Sequence, residues 1–236
     1  LWVHVVYCIT SYSAQTPSFK NGIFTANLKQ FAAGFWPLKH NLIFEQPPLE
    51  AEQDMQFNAT SASILTSSAD SLILPTGRQL KAEAAALNTA LDGAIEALLN
   101  SGDFSAKIGS HCLLHIPGKS AKRLLLVGCD QDGDTLDVQS RDKIIATAAQ
   151  QICSGQSKKA LWISGALPVD EQPDDQALAT AVAQSFTAAS YRYNKGGATK
   201  HQSCRLKGVT YWAASRAATN AAKKGLAYGS AVGNGT

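Results

Sequence analysis

No stretch of this sequence stays apolar for the roughly 18 residues that a membrane-crossing helix needs, so no spanning segment is read from it. The usual signatures of catalytic sites are missing too. There is no H-E-x-x-H, no G-x-S-x-G, no G-x-G-x-x-G and no paired C-x-x-C. The helix-borne zinc site, the nucleophile elbow, the dinucleotide-binding turn and the paired-thiol motif are thereby excluded in their common sequence form. Internal repeats and low-complexity segments are absent, which excludes a solenoid. Methionine is almost absent, with Met55 the only one. A long run of one charge is lacking as well. Lysine and arginine come in small groups (Lys119, Lys122 and Arg123; Lys158 and Lys159; Lys223 and Lys224), which read as solvated helix ends and loops. The net charge of +3 and the pI near 8.6 do not by themselves indicate nucleic-acid binding.

The five cysteines, Cys8, Cys112, Cys129, Cys153 and Cys204, are odd in number and irregularly spaced. Cys112, Cys129 and Cys153 each sit in an apolar pattern. Buried free thiols in a reducing compartment fit this better than a disulfide framework. The 236 residues suffice for one large domain, or a domain plus a tail, and the 45% hydrophobic content is that of a chain with a core.

What is present centres on residues 101–129. They read as two strands, 111–116 after Gly109 and 123–127 before Gly128, joined by a Pro117-Gly118 turn. Four successive apolar residues, Leu124, Leu125, Leu126 and Val127, indicate a strand covered on both faces. Helix patterns lie on either side, so the hairpin is expected at the centre of an α/β layer structure.

Residues 1–54 differ from the rest. Their aromatics (Trp2, Tyr7, Tyr12, Phe19, Phe24, Phe31, Phe35, Trp36 and Phe44) follow neither helical nor strand period. The segment begins at Leu1, and regular patterning begins just after Met55. The reading taken is that Met55 is the natural start and residues 1–54 are translated upstream sequence that contributes little to the fold. A genuine extension or a signal remnant without its basic n-region is the alternative.

Beyond Met55, residues 63–66 and 71–74 are strand candidates, the second closed by Pro75, Thr76 and Gly77. Leu80, Ala84, Leu87, Leu91, Ile95 and Leu98 fall at spacings of three and four and predict one amphipathic helix of about five turns, ended at Gly102. After an acidic loop over residues 130–137, Ser140 is the expected N-cap of a helix carrying Ile144, Ile145, Ala148 and Ile152. Residues 160–164 are a strand. A helix with Leu178, Val182, Phe186 and Ala189 on one face follows a proline-bearing loop. Residues 193–205 are a basic loop and residues 209–212 the last strand. Ser215 caps an alanine-rich helix expected to run to Leu226, leaving Gly233 to Thr236 without a terminating element.

Three partial motifs carry little chemistry. Gly118-Lys119-Ser120 is like the end of a phosphate loop, but Leu113 stands where its first glycine belongs and a strand follows. His111, Cys112 and His115 are metal-ligand types. On a strand, however, the two histidines lie about 13 Å apart and Cys112 faces the other way. Asp130, Asp132, Asp134 and Asp137 suggest calcium. An EF-hand loop starting at Asp130 would need glycine and glutamate where Thr135 and Arg141 stand, so an acidic turn is the better reading.

The order of elements resembles a known family. Its carriers are Asp70-Ser71-Leu72-Ile73-Leu74-Pro75 with Leu80 beyond; Gly102-Asp103-Phe104-Ser105-Ala106-Lys107-Ile108-Gly109; Lys122-Arg123-Leu124-Leu125-Leu126-Val127-Gly128; and Ser190-Tyr191-Arg192-Tyr193 followed by Leu206. From Met55 onward the chain resembles the N-terminal domain of bacterial leucyl (cytosol) aminopeptidases. The resemblance implies an α/β, macro-domain-like mixed sheet flanked by helices over residues 55–214, after an irregular extension over 1–54. Residues 215–236 would be the start of the helix that joins the family's two domains.

Family members are two-domain, hexameric, cytoplasmic enzymes that remove N-terminal residues from peptides. Their C-terminal domain holds two divalent metals, zinc or manganese, on carboxylates and a lysine. Its N-P-x-N and N-T-D-A-E-G-R segments are expected beyond Thr236. No catalytic, cofactor-binding or metal-binding residue is therefore assigned to any position here, and this part alone is expected to be inactive. Its implied role is oligomer assembly and regulation. ADP-ribose-binding macro domains use a glycine-rich loop, and the chain offers only Gly196-Gly197, which speaks against that ligand. The alternative is a non-enzymatic binding domain for DNA or a regulatory partner, using the basic loop 195–207, with the steep salt dependence of phosphate contacts.

Overall fold

The computed structural model describes residues 55–116, 120–130, 136–164, 167, 174–191 and 204–235. Contact clustering separates residues 1–49 from residues 50–236, and everything below concerns the second unit. The irregular extension over 1–54 lies outside the described residues.

The strands are β1 (Gln56–Thr60), β2 (Ser71–Thr76), β3 (His111–His115), β4 (Arg123–Gly128), β5 (Lys159–Ile163) and β6 (Gly208–Trp212). They form one sheet in the order β1-β6-β5-β2-β4-β3. All neighbours run parallel except β3, which pairs antiparallel with β4. The helices are α1 (Ala82–Ala90), α2 (Ala94–Ser101), α3 (Val138–Ser154), α4 (Asp175–Ser190) and α5 (Arg216–Gly235). This is the mixed, helix-flanked sheet that was expected.

Side-chain alternation divides the core in two. Leu72, Leu74, Leu124, Leu126, Leu161 and Ile163 pack with Leu87 of α1 and Ile95 of α2. Ile73, Leu125, Val127, Trp162, Val209 and Tyr211 pack with α3, α4 and α5 through Ile144, Ile145, Val182, Phe186 and Leu226. The apolar run in β4 is thus buried on both faces, as its sequence requires.

The hairpin is not central. β3 is an edge strand and β4 the next one in, while β2 and β5 hold the middle. Continuous apolar residues report cover above and below a strand, not its lateral neighbours. The crossover through α3 returns the chain past β2, because a parallel crossover needs room for its helix.

Other expectations need correction. Residues 63–66 are not a strand, since Ile64–Thr66 form a 3-10 turn. The first strand is instead Gln56–Thr60, whose mixed composition carries little strand signal. β2 runs on through Pro75 to Thr76. There it has passed its pairing with β5 and keeps β4 as its ladder partner, which suits a residue without an N–H. The single long helix is two. The break falls at Asp92 and Gly93, both with positive φ (55° and 82°). Asn88 Oδ1 accepts from the backbone N–H of Ile95 and Glu96 at 3.0 and 3.1 Å, standing in for the cap that α2 lacks. The spacing reads as continuous because both pieces face the same core. Asp137, not Ser140, caps α3: its carboxylate accepts the Ser140 N–H at 2.6 Å.

Ser215 does cap α5, with its Oγ 3.1 Å from the Ala218 N. The helix continues to Gly235, past the expected end at Leu226. Glycines four residues apart explain the extension. A Cβ at Gly225 would run into the Gln176 carbonyl oxygen. At Gly229 it would lie 2.5 Å from the Thr180 oxygen and 2.9 Å from the Ala183 Cβ, and at Gly233 2.8 Å from the Thr187 Cβ. α5 therefore lies backbone-close on α4, and packing stabilises a glycine-bearing helix that propensity alone disfavours. Gly229→Ala should destabilise the domain by about 1–3 kcal/mol, despite alanine's better helix propensity. Gly235, which meets nothing within 4 Å among the described residues, should tolerate the same change. Chemical denaturation of both variants decides the point.

Candidate functional site

Two edges of the sheet gather polar groups, and they differ in purpose. At the N-terminal edge Asp70 aligns three strands. Its N–H donates to the Lys159 oxygen (2.9 Å) and its own carbonyl accepts from Lys122 and Arg123 (3.0 and 3.3 Å). Its Oδ2 accepts from the backbone N–H of Lys158 and Lys159 (2.8 and 3.1 Å). Beside it Ser71 and Ser157 share a buried hydroxyl pair at 2.6 Å, to which Arg123 Nη1 donates at 3.3 Å. These contacts tie the starts of β2, β4 and β5 together and leave no open reactive group.

The C-terminal edge is where an open parallel sheet offers a ligand crevice, because adjacent strands there send their connections to opposite faces. β2 leads to α1 on one face, whereas β4 and β5 lead to α3 and α4 on the other. The loop after β2 carries Gly77, Arg78 and Lys81. Asp130, just past β4, accepts the Arg78 N–H at 3.2 Å and pairs with its guanidinium at 3.5 Å. A Cβ on Gly77 would sit 2.9 Å from Asp130 Oδ1, so the close approach favours glycine. Lys81 Nζ donates to the Leu167 oxygen at 2.9 Å, linking the loops after β2 and β5. Ser164 Oγ donates to the Trp212 oxygen at 2.7 Å, tying β5 to β6.

Chemically this edge is occupied with itself. Burial first, and then the neighbouring Asp130 carboxylate, push the Cys129 thiol up to about 12, against the opposing pull of Lys81. It stays protonated at neutral pH, which is the opposite of an activated nucleophile. Tyr211 is held well above its ordinary range, chiefly by burial and further by Asp175, while Ser164 works the other way. Its hydroxyl donates to Asp175 Oδ1 at 2.9 Å and so fastens the start of α4 to β6. The buried Trp162 indole N–H finds no acceptor among the described residues. An apolar cleft of about 350 Å³, lined by Ile64, Leu65, Glu83, Leu87 and Trp212, opens between the 3-10 turn and α1.

The residues singled out by sequence fall apart in space or lie outside the description. His111 and His115 are exposed at the two ends of β3, and Cys112 between them packs against the opposite core. Of the acidic turn, Asp130 is engaged with Arg78 and Asp137 caps α3, while Asp132 and Asp134 lie outside the described residues. So do Gly118 and Lys119, Gly196-Gly197 and most of the basic loop 195–207. Cys129 and Cys153 are buried, Cys112 and Cys204 partly so. Among the described residues no three His, Cys, Asp or Glu side chains gather as a metal site. The Arg78–Asp130 link was missed by sequence reading; its only trace is a Thr-Gly-Arg turn after one strand and an aspartate after another.

The segments that hold these edges together, Asp70 through β2, Phe104 to Gly109, and β4, are the ones that carry the family likeness. A sequence model described as the N-terminal domain of the cytosol aminopeptidase family matches residues 72–196. The chain belongs to the cytosol aminopeptidase family.

A probable cytosol aminopeptidase of Azotobacter vinelandii is 33% identical over 156 residues, covering 65% of this chain and 31% of that protein. The cytosol aminopeptidase of Pseudomonas aeruginosa is 29% identical over 184 residues, covering 77% and 37%. The chain thus spans about a third of the length of the curated cytosol aminopeptidases it matches. Among solved structures, a mutant leucine aminopeptidase of tomato superposes with a TM-score of 0.62 at 17% identity, over 77% of this chain and 36% of that one. The macrodomain of Mycobacterium tuberculosis DarG superposes at 0.52 with 11% identity, over 67% of this chain and 99% of that one. These two likenesses concern the fold, and they bear out the macro-domain-like architecture expected of a cytosol aminopeptidase N-terminal domain. No helix among the described residues is long and apolar enough to cross a membrane.

Proposed function

We propose that this chain is the non-catalytic N-terminal part of a dimetal leucyl aminopeptidase, a cytoplasmic enzyme that releases N-terminal residues from peptides. In this reading its own role is assembly of a hexamer and control of access to the catalytic half. The observation that carries the proposal is the match of the family's N-terminal domain to residues 72–196, in a chain about a third as long as its relatives. The described residues do not fit two divalent ions. Asp130 and Asp137 are committed to Arg78 and to the start of α3, and no other carboxylate converges with them. A two-metal centre needs several ligands around ions about 3.5–4 Å apart. No step of peptide hydrolysis is assigned to this chain.

The purified chain should therefore leave leucine amide and leucyl peptides intact, with or without added zinc or manganese. The assay runs from neutral to alkaline pH with a chelator control. Chelator-sensitive turnover that follows the protein through purification and is lost in Asp132→Ala would place a metal site inside this domain and overturn the reading. The coding sequence downstream of Thr236 tests the parent's activity separately.

A further inference from the structure

The unguarded edge of β3 supports a second conclusion, and it does not depend on the peptidase reading. β3 is outermost in the sheet, and β4 is its one strand neighbour among the described residues. Which of its backbone groups are used can be worked out. The Ile116 N–H donates to the Lys122 oxygen at 3.0 Å, and the Gly128 N–H donates to the Ser110 oxygen at 2.9 Å. Both bonds belong to the register that pairs Leu113 with Leu125. In an antiparallel ladder, bonded and non-bonded positions alternate. The even-numbered residues thus bond to β4, and His111, Leu113 and His115 turn their N–H and C=O groups outward. Their side chains are also the exposed ones, with Leu113 at 57%.

Edge strands are usually protected by lysine, proline, a bulge or a covering segment. β3 reads His-Cys-Leu-Leu-His, pairs residue for residue with β4 and carries no fixed charge. The opposite edge differs, since Met55, Phe57 and Ala59 of the β1 region adjoin α5 residues Lys223, Leu226 and Ser230. The β3 edge is also self-complementary. Antiparallel pairing with a second copy about Leu113 sets His111 against His115 of that copy and Leu113 against its own equivalent. Every outward residue then meets an outward residue, which gives about six interchain hydrogen bonds. No fixed charge faces a like charge, and two exposed leucines cover each other on one face.

We infer that two copies of this chain associate by antiparallel pairing of their β3 strands across a two-fold axis at Leu113, joining their sheets into one. The partner is a second copy because a two-fold needs the same surface on both sides, and this strand matches itself in register, charge and apolar position. A five-residue edge buries less than the roughly 1,600 Å² of a standard interface, so the pairing is weak on its own.

Sedimentation equilibrium of the full chain, up to about 200 µM, should show a concentration-dependent dimer. Leu113→Lys, a change at an exposed position, should weaken that dimer at least tenfold with the thermal midpoint of dilute protein unchanged. Leu113→Cys supplies the second measurement. A symmetric bonded pair sets its Cα atoms about 5.5 Å apart, within the disulfide range of about 4.4–6.8 Å. Mild copper–phenanthroline oxidation should then give a covalent dimer whose joined peptides, mapped by mass spectrometry, both contain position 113. A chain monomeric throughout, a dimer indifferent to Leu113→Lys, or cross-links that map only to native cysteines would each overturn the inference. None of these outcomes touches the aminopeptidase reading, which the hydrolysis assay judges alone.

Discussion

Leu126→Ala should cost the domain about 2–5 kcal/mol, the range for truncating a core leucine. Leu126 has no exposed surface and stands between Leu74 of β2 and Cys112 of β3 in the ladder. Its side chain enters the core formed with α1 and α2, together with Leu124, Ile95 and Phe104. Truncation opens a cavity against neighbours that are themselves held in strands, so little collapse can fill it. Urea unfolding followed by circular dichroism gives the size, provided the slope stays that of the parent. The matched control is Leu113→Ala one strand away, which at 57% exposure should shift stability by no more than about 0.5 kcal/mol. A loss under about 1 kcal/mol for Leu126→Ala would mean that β4 is not covered on both faces.

Gly128→Ala should be nearly as damaging, at about 3 kcal/mol, and for the opposite reason. Here an added methyl has no room. A Cβ at Gly128 would run into the Lys107 carbonyl oxygen and the Ser110 Oγ, and would lie 2.6 Å from the Ala106 carbonyl carbon. Most of that obstacle is backbone. It belongs to the segment that crosses the end of β4, where Asp130 donates its N–H to the Ala106 oxygen at 2.9 Å and Lys107 bridges to Asp130. Ala106 already has a positive φ of 55°, so the segment has little freedom to retreat. Overpacking against backbone falls at the upper end of its usual cost. A fall in the denaturation midpoint comparable to that of Leu126→Ala is expected. A variant of unchanged stability would show that the segment over residues 106–110 moves aside freely.

These two positions also show what could be read in advance. The four apolar residues of β4 announced cover on both faces, and that held because burial on each face is written in the alternation itself. The face of α4 carrying Leu178, Val182 and Phe186 was legible for the same reason, as was the Ser215 cap. The glycines were not. Nothing around Gly128 in the sequence says that residues 106–110 will pass within contact of it, and Gly225, Gly229 and Gly233 look like helix breakers until α4 lies against them. The split between α1 and α2 was hidden because Leu87 and Ile95 keep one period while Asn88, five residues before Gly93, caps the second helix from within the first.

By itself, the sequence determined the fold class, the family, and which faces of β4 and α4 are buried. Those properties follow from local chemistry: side-chain period, caps, and the identity of a few short segments. Only the tertiary structure decided the order of strands, the edge position of β3, the glycine contacts of α5 and the closure of Arg78 on Asp130. Each of these joins residues distant in the chain, and lateral pairing is set by which backbone groups remain unbonded once the helices have taken their faces. A one-dimensional pattern records what a residue prefers around it; it does not record which strand supplies it.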